Sequence, residues 1–584
     1  MRNIPPGVYL SGMTSTTPSK HVVIIGGVAG GMSAATRLRR LDPHASIIVL
    51  ERSTYVSYAN CGLPYHVSGV IADRDALILQ TPEGLNTRFD IDVRVATEAI
   101  EIHPENQTVI ARHVHTGEVY TLPYDALILS PGAETVIPPI PGIERGMPLR
   151  TVEDMDAMIA AINPEGAHER ALGNDVVNLD ALDGNAAKRP EHVTVIGGGY
   201  IGVEVAENLR HLDIPVTLVE AAPQVIAPLD IEMVMPVQDV MRRNGIDLRV
   251  NSQAAAIEDG AVVLANGDRI DTDLVVLAIG VRPDTRLAKA AGLELGPRGG
   301  IKVDEFLRTS VPGIYAVGDA VEKTDALDGS AALVPLANIA NRQGRVVADH
   351  IAGLTPRPVP AQVTSILKVF NMTVATTGWN ERRLQAAGRA YTAIHTHPGS
   401  HAGYYPGQEL MMLKLLVDPQ TQQILGAQGV GGDGLDKRID VIATAMRGGI
   451  TAPELMDLEL AYAPPFSSAK DPVNMLGYVA DNIAGGQTKT VQWHELAALQ
   501  AQGVALVDVR TKFEFSRGSI PGAIHIPIDD LRHRLADLPK EPFVVFCQVG
   551  HRGHTATMYL RGIGLDVYNL DGGMRTWGNS PAAH

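Results

Sequence analysis

The sequence predicts a multidomain α/β protein: two nested Rossmann-like dinucleotide-binding domains, an α+β domain, and a separate C-terminal α/β domain. Three observations predict it. Two segments repeat the order strand, glycine turn, helix, strand. Further apolar strands also end in glycine, at YDALILSPGAE (124–134), DLVVLAIGVRPD (273–284) and TSVPGIYAVGDA (309–320). Beyond DNIAGGQTKT the composition changes, and Gly485-Gly486 marks a hinge. A chain of 584 residues is too long for one core, so about three to five domains are expected.

The first unit is HVVIIGGVAGGMSAATRLRRLDPHASIIVLER (21–52). A strand that ends in glycines and feeds a helix aims backbone N–H groups and the helix dipole at a pyrophosphate. Gly26, Gly27, Ala29, Gly30 and Gly31 form this turn, but Val28 stands where the fingerprint asks for glycine. Glu51 follows Gly31 by 20 residues, where an acid should hold ribose hydroxyls, and Arg52 adjoins it. The second unit, HVTVIGGGYIGVEVAENLRHLDIPVTLVEAA, begins at His192. Gly197, Gly199 and Gly202 satisfy the fingerprint, and Glu220 follows Gly202 by 18. Two such sites, 171 residues apart, call for two dinucleotides, a flavin and a nicotinamide. Glu220 would repel a 2′-phosphate, which favours NADH, with NADPH possible if arginines lie near.

The net charge of -16 argues against nucleic acid or an anionic membrane as partner. No run of about 18 apolar residues reads as a membrane span. Two cysteines cannot build a disulfide framework, which points to a reducing cytoplasm. Residues 1–20 read as a disordered leader without an apolar signal core. Residues 163–190 are polar and aperiodic, and read as an inserted loop. No metal site is expected.

With these motifs in this order, residues 21–484 resemble the two-dinucleotide flavoprotein disulfide reductases. The resemblance implies FAD on the first unit and NAD(P)H on the second. It assigns 21–150 with 272–350 to the FAD domain and 151–271 to the NAD(P)H domain. Gly132 and Gly318 close strands toward FAD, and Asp319 would hold its ribityl chain.

One cysteine lies in VSYANCGLPYH (56–66). Reductases of this architecture commonly carry Cys-x4-Cys, but Cys61 has no second cysteine after it. An internal disulfide is therefore impossible there. A redox-active Cys61 must cycle as a mixed disulfide, a persulfide or a sulfenic acid. Its place at the mouth of a helix is expected to lower its pKa. The segment SYANCGLPY is similar to the active-site segment of coenzyme A-disulfide reductases. That resemblance implies substrate contacts at Ser57 and Asn60, and coenzyme A contacts at Ser33, Arg37 and Arg40. It implies a homodimer with shared active sites, built on a dimerisation domain at 362–484. The partner would bring Tyr404 and Tyr462, and Lys470 would meet a substrate phosphate.

In the last segment, 487–584, the apolar strand of FVVFCQVGHRGHTA runs into Cys547, a glycine loop and a helix. Backbone N–H groups over 547–552 can wrap a sulfur anion, with His551 and Arg552 adding donors. This resembles a rhodanese domain, as do Asp508, Arg510, His525 and LDGGMRTW. Related phosphatases use a wider Cys-x5-Arg loop; Cys-x4-Arg here fits a persulfide better. Together the resemblances imply an NADH-dependent reductase of coenzyme A disulfide, coenzyme A persulfide or polysulfide, with a fused sulfurtransferase. Its partners would be small thiols, disulfides, persulfides or polysulfides. The alternative is an NADH oxidase or peroxidase cycling Cys61 through a sulfenic acid.

Overall fold

A computed structural model describes residues 20–163 and 189–583. Apart from Lys20, the expected leader lies outside these residues. So does the expected insertion, apart from Asn163, Arg189 and Pro190.

The first sheet has five parallel strands in the order Ile314–Ala316, Ala126–Leu129, His21–Ile25, Ser46–Leu50, Asp92–Arg94. Its central strand is buried on both faces, with Val22, Val23 and Ile24 at most 1% exposed, as a covered parallel sheet requires. The helix Ala29–Leu41 packs on Ala337–Ile351. Contact is close because Gly344 lacks a side chain: a Cβ there would fall 2.4 Å from the Gly30 carbonyl oxygen.

The second sheet repeats the plan: Ile246–Arg249, Val216–Val219, Val193–Ile196, Leu274–Leu277, Met147–Pro148, all parallel. This corrects the expected boundaries. Leu274–Leu277 pairs along its length with Val193–Ile196, so the chain stays in the second domain past residue 272. Met147–Pro148 already belongs to that sheet. An apolar strand ending in glycine fits either sheet, and only the pairing distinguishes them.

The third domain is a five-stranded antiparallel sheet packed against Leu435–Gly448 and Pro472–Ala484. The last is a five-stranded parallel sheet in the order Thr490–Val491, Val567–Leu570, Phe543–Phe546, Ala505–Asp508, Ile524–His525. No helix among the described residues is long and apolar enough to cross a membrane.

Candidate active site

The two glycine turns are built alike. Gly26 (φ +101°) and Gly197 (φ +109°) sit where a side chain would strike the carbonyl of Ser130 or Ala278. A Cβ on Gly31 or Gly202 would fall 1.9 Å from the carbonyl oxygen of Gly26 or Gly197. The middle position differs. Gly199 has extended backbone and no atom within 4 Å of its notional Cβ, so its glycine keeps space open before the helix. Val28 occupies that position in the first turn and packs on the core. The acids match too. Glu51 accepts from the N–H groups of Gly27 (2.7 Å) and Ser53 (2.9 Å). Glu220 accepts from those of Gly198 (2.6 Å) and Ala222 (2.7 Å). Burial pushes the Glu51 carboxyl up against these hydrogen bonds. Arg52 is exposed beside it.

Cys61 sits in a single 3-10 turn, Asn60–Gly62, that feeds the helix Leu63–Val67. The turn is tight, since a Cβ on Gly62 would fall 2.5 Å from Leu77. Ser57 holds a left-handed φ of +50° and donates its N–H to the Gly27 carbonyl at 2.8 Å. A strained residue so close to a glycine turn marks a place the fold over-determines. The thiol is exposed. Its pKa is raised by partial burial, then by Glu204 and Asp319. This overturns the expected lowering. A helix end is worth about 0.3–1 kcal/mol to an anion, and this helix has only five residues. Burial and two acids outweigh it.

Other expected residues converge or part. The Tyr404 and Tyr462 hydroxyls, 58 residues apart, lie 2.9 Å from each other, and both rings are exposed. Lys470 is exposed over the Tyr478 ring. Ser33 donates to Asn341 Oδ1 at 2.9 Å. Arg37 is ion-paired to Asp349 at 2.6 Å, whereas Arg40 is exposed. Asp319 lies in the turn Gly318–Ala320, its carboxyl raised by burial against Lys323 and Arg150. Gly132 has φ +75° and approaches Arg150.

Cys547 is fully buried at the end of Phe543–Phe546. The helix starts at His551, so His551 and Arg552 are its first two residues and the loop proper is shorter than expected. Arg552 is held bidentately by Glu514, at 2.5 and 2.8 Å. Its guanidinium pKa is raised by Glu514 and, more weakly, by Cys547. Beneath the loop, Arg510 is clamped to Asp508 and reaches Gln548 at 3.2 Å. His525 bonds the Arg510 carbonyl at 2.9 Å.

Residues 20–344 match the family model described as pyridine nucleotide-disulphide oxidoreductase. Residues 364–472 match that family's dimerisation domain, and 492–580 match a rhodanese-like domain. The chain is 34% identical over 462 residues to coenzyme A disulfide reductase of Staphylococcus aureus, covering 79% of this chain and 99% of that protein. The chain belongs to the pyridine nucleotide-disulphide oxidoreductase family.

Two solved structures are similar across the whole length. Reduced CoADR-RHD from Bacillus anthracis is 46% identical, with a TM-score of 0.91, covering 96% of this chain and 98% of that one. The NAD-dependent persulfide reductase from A. fulgidus is 36% identical, with a TM-score of 0.86, covering 95% and 100%. As an oxidoreductase of this family the chain uses FAD and a pyridine nucleotide. The residues fit both groups. The two glycine turns leave backbone N–H groups at helix starts, and the two acids are fixed at strand ends with lone pairs to spare. Asn60 Oδ1, beside Cys61, is buried without a partner among the described residues.

The sequence reading passed over Glu204, on the helix Tyr200–His211. It accepts from the Tyr65 hydroxyl at 3.3 Å, and burial pushes its carboxyl up to about 7. A signal existed: an acid four residues past Tyr200 on an otherwise apolar helix start. Glu514 was missed because only the fold brings it to Arg552.

Proposed function

We propose that this oxidoreductase reduces coenzyme A disulfide, coenzyme A persulfide or polysulfide with NADH through Cys61, while Cys547 in the rhodanese domain carries sulfane sulfur. The observation that carries the reading is the exposed, solitary Cys61. The other cysteine is buried in another domain, so Cys61 must take its sulfur partner from outside. Glu220, fixed at its strand end, favours NADH. Soluble operation in the cytoplasm as a homodimer is part of the same reading.

Cys61 thiolate attacks one sulfur of the substrate, forming Cys61–S–S–CoA and releasing one thiolate. Bound FAD supplies the route by which two electrons from NADH reach that disulfide. Cleavage then returns the Cys61 thiolate and releases the second coenzyme A thiol. The balance is CoA–S–S–CoA + NADH + H⁺ → 2 CoA–SH + NAD⁺. With coenzyme A persulfide the products are coenzyme A and hydrogen sulfide. Ser57 and Asn60 orient the substrate. Arg40, Ser33 and Lys470 hold its phosphates, and Arg37 does so while sharing its charge with Asp349. Tyr404 and Tyr462 act from the partner subunit. The hydrogen bond to Tyr462 raises the Tyr404 pKa, so Tyr404 keeps its proton and can donate it in a hydrogen bond to a leaving thiolate. Glu204, titrating near neutrality, holds a further proton close to Cys61.

Anaerobic steady-state assays with NADH test this. They compare coenzyme A disulfide, coenzyme A persulfide, glutathione persulfide and polysulfide by kcat/KM. The expected result is turnover with a coenzyme A species well above the rate with oxygen. If oxygen or peroxide consumption matches or exceeds every sulfur substrate, the protein is an oxidase or peroxidase instead.

A further inference from the structure

The described residues enclose a charged cluster that neither cysteine site uses. His395 and Lys414 are cross-strand partners in the dimerisation-domain sheet, and both side chains are buried. Two cations side by side in a protein interior are costly unless acids meet them. Here the acids come from other elements. The His395 ring donates from Nδ1 to Asp571 Oδ2 at 2.6 Å and from Nε2 to Glu232 Oε1 at 3.1 Å. Both nitrogens face carboxylates, so the ring is an imidazolium. Burial opposes that charge, but the Asp571 and Glu232 hydrogen bonds prevail and push its pKa up to about 9. Lys414 Nζ meets Glu232 at 2.5 Å, Asp230 at 2.8 Å and Glu381 at 3.1 Å. Glu232 therefore joins the two cations. Glu232 lies in the first turn of the helix Ile231–Arg243 of the nucleotide domain, while Asp571 belongs to the rhodanese domain. Three domains meet at His395.

Asp571 also leads directly to the sulfur site. It opens the two-residue turn, 571–572, between Val567–Leu570 and the helix Gly573–Gly578. The first turn of that helix grips the Cys547 loop: Met574 N–H donates to the Cys547 carbonyl at 2.8 Å, and Arg575 N–H to that of Gln548 at 2.9 Å. Between lie two glycines with positive φ, Gly572 (+64°) and Gly573 (+61°). A Cβ on Gly572 would fall 2.9 Å from His395 Cβ, and one on Gly573 2.4 Å from the Cys547 carbonyl oxygen. The clasp and the sulfur loop are thus the two sides of one glycine turn.

We propose that His395 is a positioning residue for the sulfur chemistry of Cys547: by holding Asp571 it fixes the turn that walls the Cys547 loop, so the reductase body sets the shape of the sulfur site. This rests on the reading of Cys547 as a sulfane carrier. A buried ion pair is weak evidence for stability and better evidence for fixing one arrangement, which is the role assigned here.

The test uses the full-length holoenzyme. With only two cysteines in the chain, alkylation of a Cys61→Ser protein reports on Cys547 alone. In that background, His395→Gln, Asp571→Asn and the double variant are compared for iodoacetamide alkylation rate. Thiocyanate formation from glutathione persulfide and cyanide is measured alongside. Asn579→Ala, which removes a contact to Met412 across the same domain boundary, is the control. Each single variant is expected to lower kcat at least tenfold with KM within twofold, and to speed alkylation by opening the buried thiol. The double variant is expected to cost no more than one single. Asn579→Ala is expected to leave both readouts unchanged. In a Cys547→Ser background, NADH-dependent reduction of coenzyme A disulfide is expected to survive His395→Gln. Unchanged alkylation and kcat in both single variants overturn the proposal, as does an equal loss of Cys61 and Cys547 activities. If the Cys61→Ser protein forms no more thiocyanate than the variant lacking both cysteines, the carrier reading fails, and the alkylation rates alone still decide the role of His395.

Discussion

Cys61 and Cys547 hold the same atom in opposite settings. Cys61 lies exposed on one 3-10 turn before a five-residue helix, and the charges that reach it, Glu204 and Asp319, oppose its thiolate. Cys547 is fully buried before a twelve-residue helix, with the Arg552 guanidinium within interaction distance. On the proposed reading of both as reactive, the difference teaches that a reactive cysteine needs no single kind of surroundings. At Cys547 the chain itself sets a guanidinium, paired with Glu514, beside the sulfur. At Cys61 it provides access, and the affinity for a thiolate is left to whatever binds beside it.

The largest expected effects come from separating the two sites. Cys61→Ser should reduce NADH-dependent reduction of coenzyme A disulfide to background while sparing thiocyanate formation. Cys547→Ser should do the reverse. Loss of both activities in either variant would mean that the sites form one relay. Next, Arg552→Met should lower kcat/KM for thiocyanate formation about 100-fold, the usual scale for one electrostatic group, without touching Cys61 turnover. An effect below about twofold would show that the backbone alone holds the sulfur.

Smaller effects sharpen the Cys61 side. In a Cys547→Ser background, Glu204→Gln removes an acid that raises the Cys61 pKa. The pH midpoint of Cys61 alkylation should fall, and the rate at neutral pH should rise. A midpoint that stays put would leave burial and Asp319 as the causes.

The smallest concerns how firmly the rhodanese domain is docked. His395 is raised from 6.5 to about 9 in the folded chain, so its contribution is complete below about pH 6.5. It is lost as pH rises through about 9. Its neighbours do not cancel this. Asp571 and Glu232 face it as carboxylates, and Lys414 stays charged because burial is outweighed by Glu232, Asp230 and Glu381. His397, lowered to about 3 by burial and by Arg575, is neutral throughout. Proteolysis across the 485–490 segment should therefore speed up between pH 7 and 9, with Cys61 turnover little changed by the cut. A flat rate would mean that packing, not the imidazolium, holds the domain.

Much was legible in advance because it is local. Gly26, Gly31, Gly197 and Gly202 follow from backbone clashes inside one strand–turn–helix unit. Glu51 and Glu220 follow from the fixed length of the helix and strand behind them. Cys61 and Cys547 stood out because the chain has no others, and Cys-x4-Arg is a spacing within one loop.

What the tertiary structure alone decided depends on residues far apart in the chain. The sheet that takes Leu274–Leu277 is set by pairing, not by its apolar pattern. The Cys61 pKa is raised by burial and then by Glu204, 143 residues on, and no local helix rule contains that charge. The clasp at His395 joins positions 232, 395, 414 and 571. Each reads in isolation as an ordinary surface charge, and it becomes a buried network only because three domains close on it. Local steric rules are written in sequence, whereas electrostatics acts through space, and space is what folding arranges.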